Sequence, residues 1–286
     1  MTPPDADRPT AVPVSSKSAA RDRPPPRPRR WEWAAANLTV ALCVFPFAYL
    51  GLLSVAGTWP FPDLWPASFR FDRWSALVAG GSGLGQSLLL SVAVSGLVAV
   101  LATSFGFVAG RAVSYHRRRA RLLFLAYLPF ALSPVILGAC LLFFFIKLGL
   151  VATLSGAVLA HSIFAFAWSV VFWSSFWNAE TLAMEHLVAL LGGTPVDLVR
   201  RVLLPLSQGP LLICLLQTFL VSWFQYGLTV LVGAGKVQTL PLKVYDYLGE
   251  ANVGFAAVAG LLLVVPPLLL LALHRHALRR VVEAGR

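Results

Sequence analysis

The sequence predicts an all-α integral membrane protein with six transmembrane helices and both termini cytoplasmic. Three observations lead there. Of the 286 residues, 58 % are hydrophobic and only 12 % are charged, which leaves too little polar surface for a soluble domain of this size. The apolar residues form long, continuous runs, whereas a membrane β-barrel would alternate apolar and polar positions. The Lys and Arg residues, which give a formal net charge of +11, sit almost entirely between those runs.

The elements follow in chain order. Residues 1–32 are rich in Pro, Arg, Ser and Asp and predict a disordered basic tail. A long polar tail before an apolar stretch argues against a cleaved signal peptide, so residues 33–55 are expected to remain as a membrane helix. Five further runs, at 85–109, 122–146, 150–172, 210–232 and 254–273, are long enough to cross ~30 Å of hydrocarbon at about 1.5 Å per residue. The transmembrane domain is thus expected over 33–274, with a short basic tail at 275–286. Eighteen of the 23 Lys and Arg residues fall on the side that holds both termini, which the positive-inside rule makes cytoplasmic. The same distribution accounts for the basic charge without nucleic acid.

The first outer loop, 57–84, carries Trp59, Trp65, Phe69, Phe71 and Trp74 among prolines, as expected of an anchor in the headgroup region. Cys43, Cys140 and Cys214 lie inside apolar runs without metal-ligand or paired spacing and are expected to be buried packing residues. Gly233-Ala-Gly-Lys236 is not a phosphate loop, because Val230 stands where the first glycine is required and Val237 follows the lysine. No metalloprotease, serine-hydrolase or proton-pump constellation is present, so no catalytic residue, metal or cofactor is assigned to this chain.

One long cytoplasmic connection, 180–205, is too polar to cross the membrane and too ordered to be a linker. From 182 to 191, Ala183, Leu187, Leu190 and Leu191 recur at helical spacing, with Glu185, His186 and Ala189 on another face. Gly192-Gly193 interrupts the helix. Thr194-Pro-Val-Asp197 then has the form of a capping box, which starts a second helix at Pro195. Pro205 is expected to end that helix in a bend before the fifth membrane helix.

This segment resembles the EAA loop of binding-protein-dependent ABC importer permeases, carried by Leu191-Gly-Gly-Thr-Pro195 and Arg200-Arg-Val-Leu-Leu-Pro205. The family's glutamate position falls on His186 and its two alanines on Leu187 and Val188, with Glu185 displaced by one residue. Gln86-Ser-Leu-Leu-Leu, Pro129 with Pro134, Ala160-His-Ser-Ile-Phe164 and Gln238-Thr-Leu-Pro-Leu242 are similar to further family motifs in the same order. The fourth-helix motif is similar to that of thiamine, polyamine and iron permeases. The resemblance implies a type I importer permease in the inner membrane. Its partners would be a second, different permease, two ATP-binding cassette subunits and an extracytoplasmic solute-binding protein. It also implies an ATPase-coupling role for the loop, with Glu185, His186, Leu187, Leu191, Gly192, Thr194, Asp197 and Pro205 as its residues. An ion-coupled carrier or a membrane-embedded enzyme is the alternative; the spans lack the charges the first needs and the convergent acid, base and nucleophile the second needs.

Within the fifth run, Thr218, Ser222, Gln225 and Thr229 make one polar stripe, flanked by Gln217 and Tyr226, and His161 lies deep in the fourth. Polar groups are costly in lipid, so these residues are expected to face either a translocation pathway or neighbouring helices. Ser87, Ser91 and Ser95 repeat at every fourth position and are expected to serve close helix packing.

Overall fold

The computed structural model describes residues 30–60, 62–78, 80 and 83–284, with side chains described up to Arg275. The expected basic tail therefore lies almost wholly outside the described residues, as do the last side chains of the C-terminal segment. The chain divides into two compact units, residues 1–46 and 47–286.

Helix α1 (Arg30–Val55) is followed by an outer loop with a short helix, α2 (Asp72–Val78). Among the described residues this loop holds an isolated β-bridge, Ala56 with Phe69, and no sheet is present. Arg73 fixes the loop to the end of α1, donating through Nη1 to the carbonyls of Leu53, Ser54 and Ala56, the last at 2.6 Å. Those carbonyls are the ones a helix end leaves without partners. Trp65, Phe69 and Phe71 are exposed as expected of interfacial aromatics, whereas Trp74 packs into the core.

Helix α3 (Leu84–Ser114) is the central strut and lies along α6 (Leu154–Phe176). Gly106 and Gly110 permit that approach. A Cβ at Gly106 would run into Ser169, and one at Gly110 would lie 2.6 Å from the Cβ of Trp173. Ser87, Ser91 and Ser95 are buried on α3, and Ser91 accepts the backbone N–H of Leu240 at 2.7 Å. Cys214 is buried, but Cys43 and Cys140 are exposed, so apolar context alone did not place those two inside.

The third predicted span is two helices, α4 (Arg119–Ala131) and α5 (Pro134–Lys147), meeting at 100°. Its cause is local: Pro134 disfavours a helical conformation at Ser133, and Leu132 and Ser133 are both extended. Among the described residues five helices are long and apolar enough to cross a membrane, and the bent pair makes six if it forms one span.

After α6 come α7 (Ala179–Leu190), α8 (Pro195–Asp197), a π-helical turn (Leu198–Leu203) and α9 (Leu204–Trp223). The fifth predicted span is displaced. The apolar helix is continuous from Pro195 to Trp223, breaks at Phe224, and resumes as α10 (Gly227–Val232). Gly227 sits at that break, where a Cβ would come within 2.8 Å of Val135. Helix α11 (Leu240–Gly249) precedes α12 (Val253–Ala284). The main apolar cluster, with Leu84, Phe219, Trp223, Leu240 and Val258, joins α3, α9, α11 and α12.

Candidate coupling site and polar seam

The 180–205 segment begins at a corner between α6 and α7. Asn178 caps α7, its side chain accepting the Thr181 N–H at 2.9 Å, while the Thr181 hydroxyl donates back to the Phe176 carbonyl at 2.9 Å. The helix therefore starts one turn earlier than the hydrophobic pattern indicated.

The pattern separated two faces, and the face with Glu185 is the buried one. Thr181 and Glu185, four residues apart, point inward, and Glu185 is only 7 % exposed. Leu187 is exposed, and Leu190 and Leu191 are 84 % and 79 % exposed. A buried carboxylate needs paired partners, and Arg111 at the end of α3 supplies them. Its Nε donates to one carboxylate oxygen at 3.0 Å and its Nη2 to the other at 2.6 Å. Glu185 is the buried member of the pair, while Arg111 is half-exposed and solvent screens its charge in part. Glu185 thus holds the helix to the membrane domain instead of presenting a carboxylate outward, and His186 is the exposed neighbour.

Helix α7 ends in a Schellman motif. The Gly193 N–H bonds to the Val188 carbonyl at 2.9 Å and the Gly192 N–H to that of Ala189 at 3.1 Å. Gly192 takes φ +76°, a left-handed conformation that costs other residues about 1–2 kcal/mol. The capping box is present. The Thr194 hydroxyl oxygen accepts the Asp197 N–H at 3.2 Å, and the Asp197 carboxylate accepts the Thr194 N–H at 3.2 Å and its O–H at 2.6 Å.

Pro205 does not end this second helix. The preceding π turn bonds the Leu204 N–H to the Val199 carbonyl, five residues back. The wider turn relieves the clash that a proline ring makes with the carbonyl four residues before it. Exposed Met184, Leu187, Leu190, Leu191, Val196 and Val199 leave an apolar surface across both helices of the loop.

The polar stripe lies inside the protein. Thr218, Ser222, Gln225 and Thr229 are all buried, and so is His161, at 1 % exposure. The stripe also spans the break after Trp223, with Gln225 inside the break. The His161 ring bridges that break: Nδ1 lies 2.9 Å from Ser222 Oγ and Nε2 lies 2.9 Å from Thr229 Oγ1. Thr229 gives its single hydroxyl proton to the Gln225 carbonyl at 2.8 Å. It must therefore accept from Nε2–H, so Nδ1 accepts from Ser222. One turn further toward the coupling loop, Thr103 lies 3.1 Å from Thr218, whose proton is committed to the Cys214 carbonyl at 2.8 Å. Gln217 and Tyr226 are only half-buried. Gln217 accepts from Trp168 Nε1 at 3.1 Å, and Tyr226 stacks on Tyr245 with centroids 4.1 Å apart.

Sequence reasoning missed the partners of the corner: Arg111, Tyr115, Arg119 and Trp177. Arg111 counted only toward topology, because the need of Glu185 for a cation follows from its burial, which the sequence does not show.

This arrangement is the fold of an ABC importer permease, and the chain is a multi-pass protein of the inner membrane. Among solved structures, it resembles a bacterial ABC transporter involved in import of the acidic polysaccharide alginate. The TM-score is 0.62 with 15 % identity, over 88 % of this chain and 99 % of that one. It also resembles the MetNI methionine ABC transporter in an inward-facing conformation, with TM-score 0.54 and 17 % identity over 69 % of this chain and 95 % of that one. The trehalose transport system permease protein SugB of Mycobacterium tuberculosis (strain CDC 1551 / Oshkosh) is 25 % identical over 244 residues, 82 % of this chain and 89 % of the relative. No protein-family model matches the chain.

Proposed function

We propose that the chain is one permease subunit of an ABC importer and that the 180–205 loop docks a cytoplasmic ATP-binding subunit. The observation that carries this reading is the exposed apolar face of α7 and α8, displayed on a segment whose turns are otherwise fully capped. Isolated exposed leucines are ordinary, but six exposed apolar side chains between Met184 and Val199 on a polar loop favour a partner site. Both termini are cytoplasmic in this reading, the pathway is shared with a second, different permease, and a solute-binding protein delivers the solute from outside. The chain itself binds no nucleotide and catalyses no reaction.

For the solute, the fourth-helix resemblance favours a small polar molecule of the thiamine, polyamine or iron type. A carbohydrate is the second reading, supported by the relatives named for trehalose and alginate and by a polar seam without charged side chains. With the seam enclosed, Gln217 and Tyr226 are the candidates with surface left to face a pathway.

Purification from native membranes tests the reading. ATP-binding subunits are expected to accompany the chain, and uptake is expected to stop when their hydrolysis is blocked. A complex without an ATPase, or uptake that continues without ATP, refutes it. Uptake of labelled trehalose against labelled thiamine and spermidine separates the two substrate readings.

A further inference from the structure

Several bonds converge on the α6–α7 corner from the cytoplasmic end of α3 and the turn after it. Arg111 holds both carboxylate oxygens of Glu185. Ser114 Oγ and Arg119 Nη2 both donate to the Ser174 carbonyl, at 3.3 and 3.1 Å, and Tyr115 donates to the Asn178 carbonyl at 3.3 Å. In return Trp177 Nε1 donates to the Phe107 carbonyl at 3.0 Å, and its ring lies 5.9 Å from the Arg111 guanidinium carbon. Carbonyls at the end of α6 that would otherwise lack partners are thus taken by a neighbouring helix. Among the described residues no side-chain hydrogen bond or ion pair ties the other end of the loop to another helix; it passes through Gly192 and Gly193 into a π turn that is held by the apolar packing of Leu198 and Leu203 in the Trp177 cluster.

We infer that Glu185 and Arg111 are positioning residues for energy coupling: they make α7, α3 and the α6 corner one mechanical body, so displacement of the coupling helix is delivered to α3 and α6, while the glycine–π-turn segment absorbs the strain. Resting on the importer reading, this inference adds to it that the carboxylate of the coupling helix is directed inward to its own chain. The ATP-binding subunit then meets the apolar surface and not the Glu185 carboxylate. The Arg111 guanidinium, half-exposed, is fixed by Glu185 and stacked near Tyr115 and Trp177, which keeps it from serving as a free partner contact.

The test uses the complete transporter reconstituted in vesicles, with solute transported per ATP hydrolysed as the readout. Glu185→Ala and Arg111→Ala are each expected to lower that ratio about fivefold or more, the size of a typical coupling between sites. The exchanged pair, Arg111→Glu with Glu185→Arg, is expected to restore much of it, which a carboxylate contact with the ATPase would not allow. Because an unpaired buried charge can prevent assembly, a second measurement keeps both residues. Spin labels at Arg117 and Ala189, both exposed, report on the fixed side, and labels at Ala189 and Gln208 span the glycine–π-turn segment. On trapping with ATP the first distance is expected to hold and the second to shift. Wild-type transport that is ATP-coupled, with variants that keep the normal ratio or a first distance that changes as much as the second, overturns the inference alone. Wild-type transport that needs no ATP overturns the importer reading and the inference with it.

Discussion

The 180–205 loop, proposed to couple to an ATP-binding subunit, joins the rest of the chain through two differently built ends. At the α6 side, a buried carboxylate, a guanidinium and several side-chain-to-carbonyl bonds tie α7 to its neighbours. At the α9 side, the bonds are local: a Schellman turn, a capping box and a π turn, each closed within a few residues. Long-range polar bonds fix the place of one helix on another, whereas local caps define a helix end and leave its place on its neighbours to apolar packing, here of Leu198 and Leu203 in the Trp177 cluster. The difference teaches that one loop can be anchored at one end by polar bonds to distant helices and shaped at the other by bonds among its own neighbours; in the proposed coupling role the first end would transmit force and the second would permit rotation.

Three substitutions would break or sharpen this contrast. The largest effect is expected from Gly192→Pro, which cannot take φ +76° and removes the N–H bonded to Ala189. With a local cost of about 3 kcal/mol or more, transport should fall beyond detection while the chain still inserts, as measured by uptake and by its amount in membranes. Normal uptake would deny the compliant end any role. Next, Leu190→Asp places a charge on the exposed apolar face and should weaken retention of the ATP-binding subunits about tenfold, near 1.4 kcal/mol, with melting of the isolated permease unchanged. Unchanged retention would separate the face from docking. The smallest effect belongs to Thr194→Ala, which removes one cap for about 1 kcal/mol. It should lower transport only severalfold, and the Thr194→Ser variant should behave as wild type; a loss as complete as that of Gly192→Pro would show that the cap, and not the hinge, governs this end.

Much of this was legible in the sequence, at a particular level. Gly192, Gly193, Thr194 and Asp197 were readable because capping and left-handed turns are governed by the residues that form them. The orientation of α7 was not. Its spacing separated two faces without saying which is buried, and the helix buries Thr181 and Glu185 because Arg111, seventy-four positions away, lies opposite. The polar stripe was found as a pattern, yet its meaning changed when His161 proved to span Ser222 and Thr229 across a helix break. Pro134 was noted as part of a pair without the 100° bend it introduces.

By itself the sequence determined the membrane class, the approximate places of the apolar helices and the caps of the coupling loop, since each depends on composition or on neighbours within a few residues. Tertiary structure alone decided which face of α7 is free, which polar groups in the spans are already partnered, and that Pro205 continues a helix instead of stopping it. Those outcomes depend on which group lies opposite in space, and burial in a low-dielectric membrane makes the partner of each polar atom decisive.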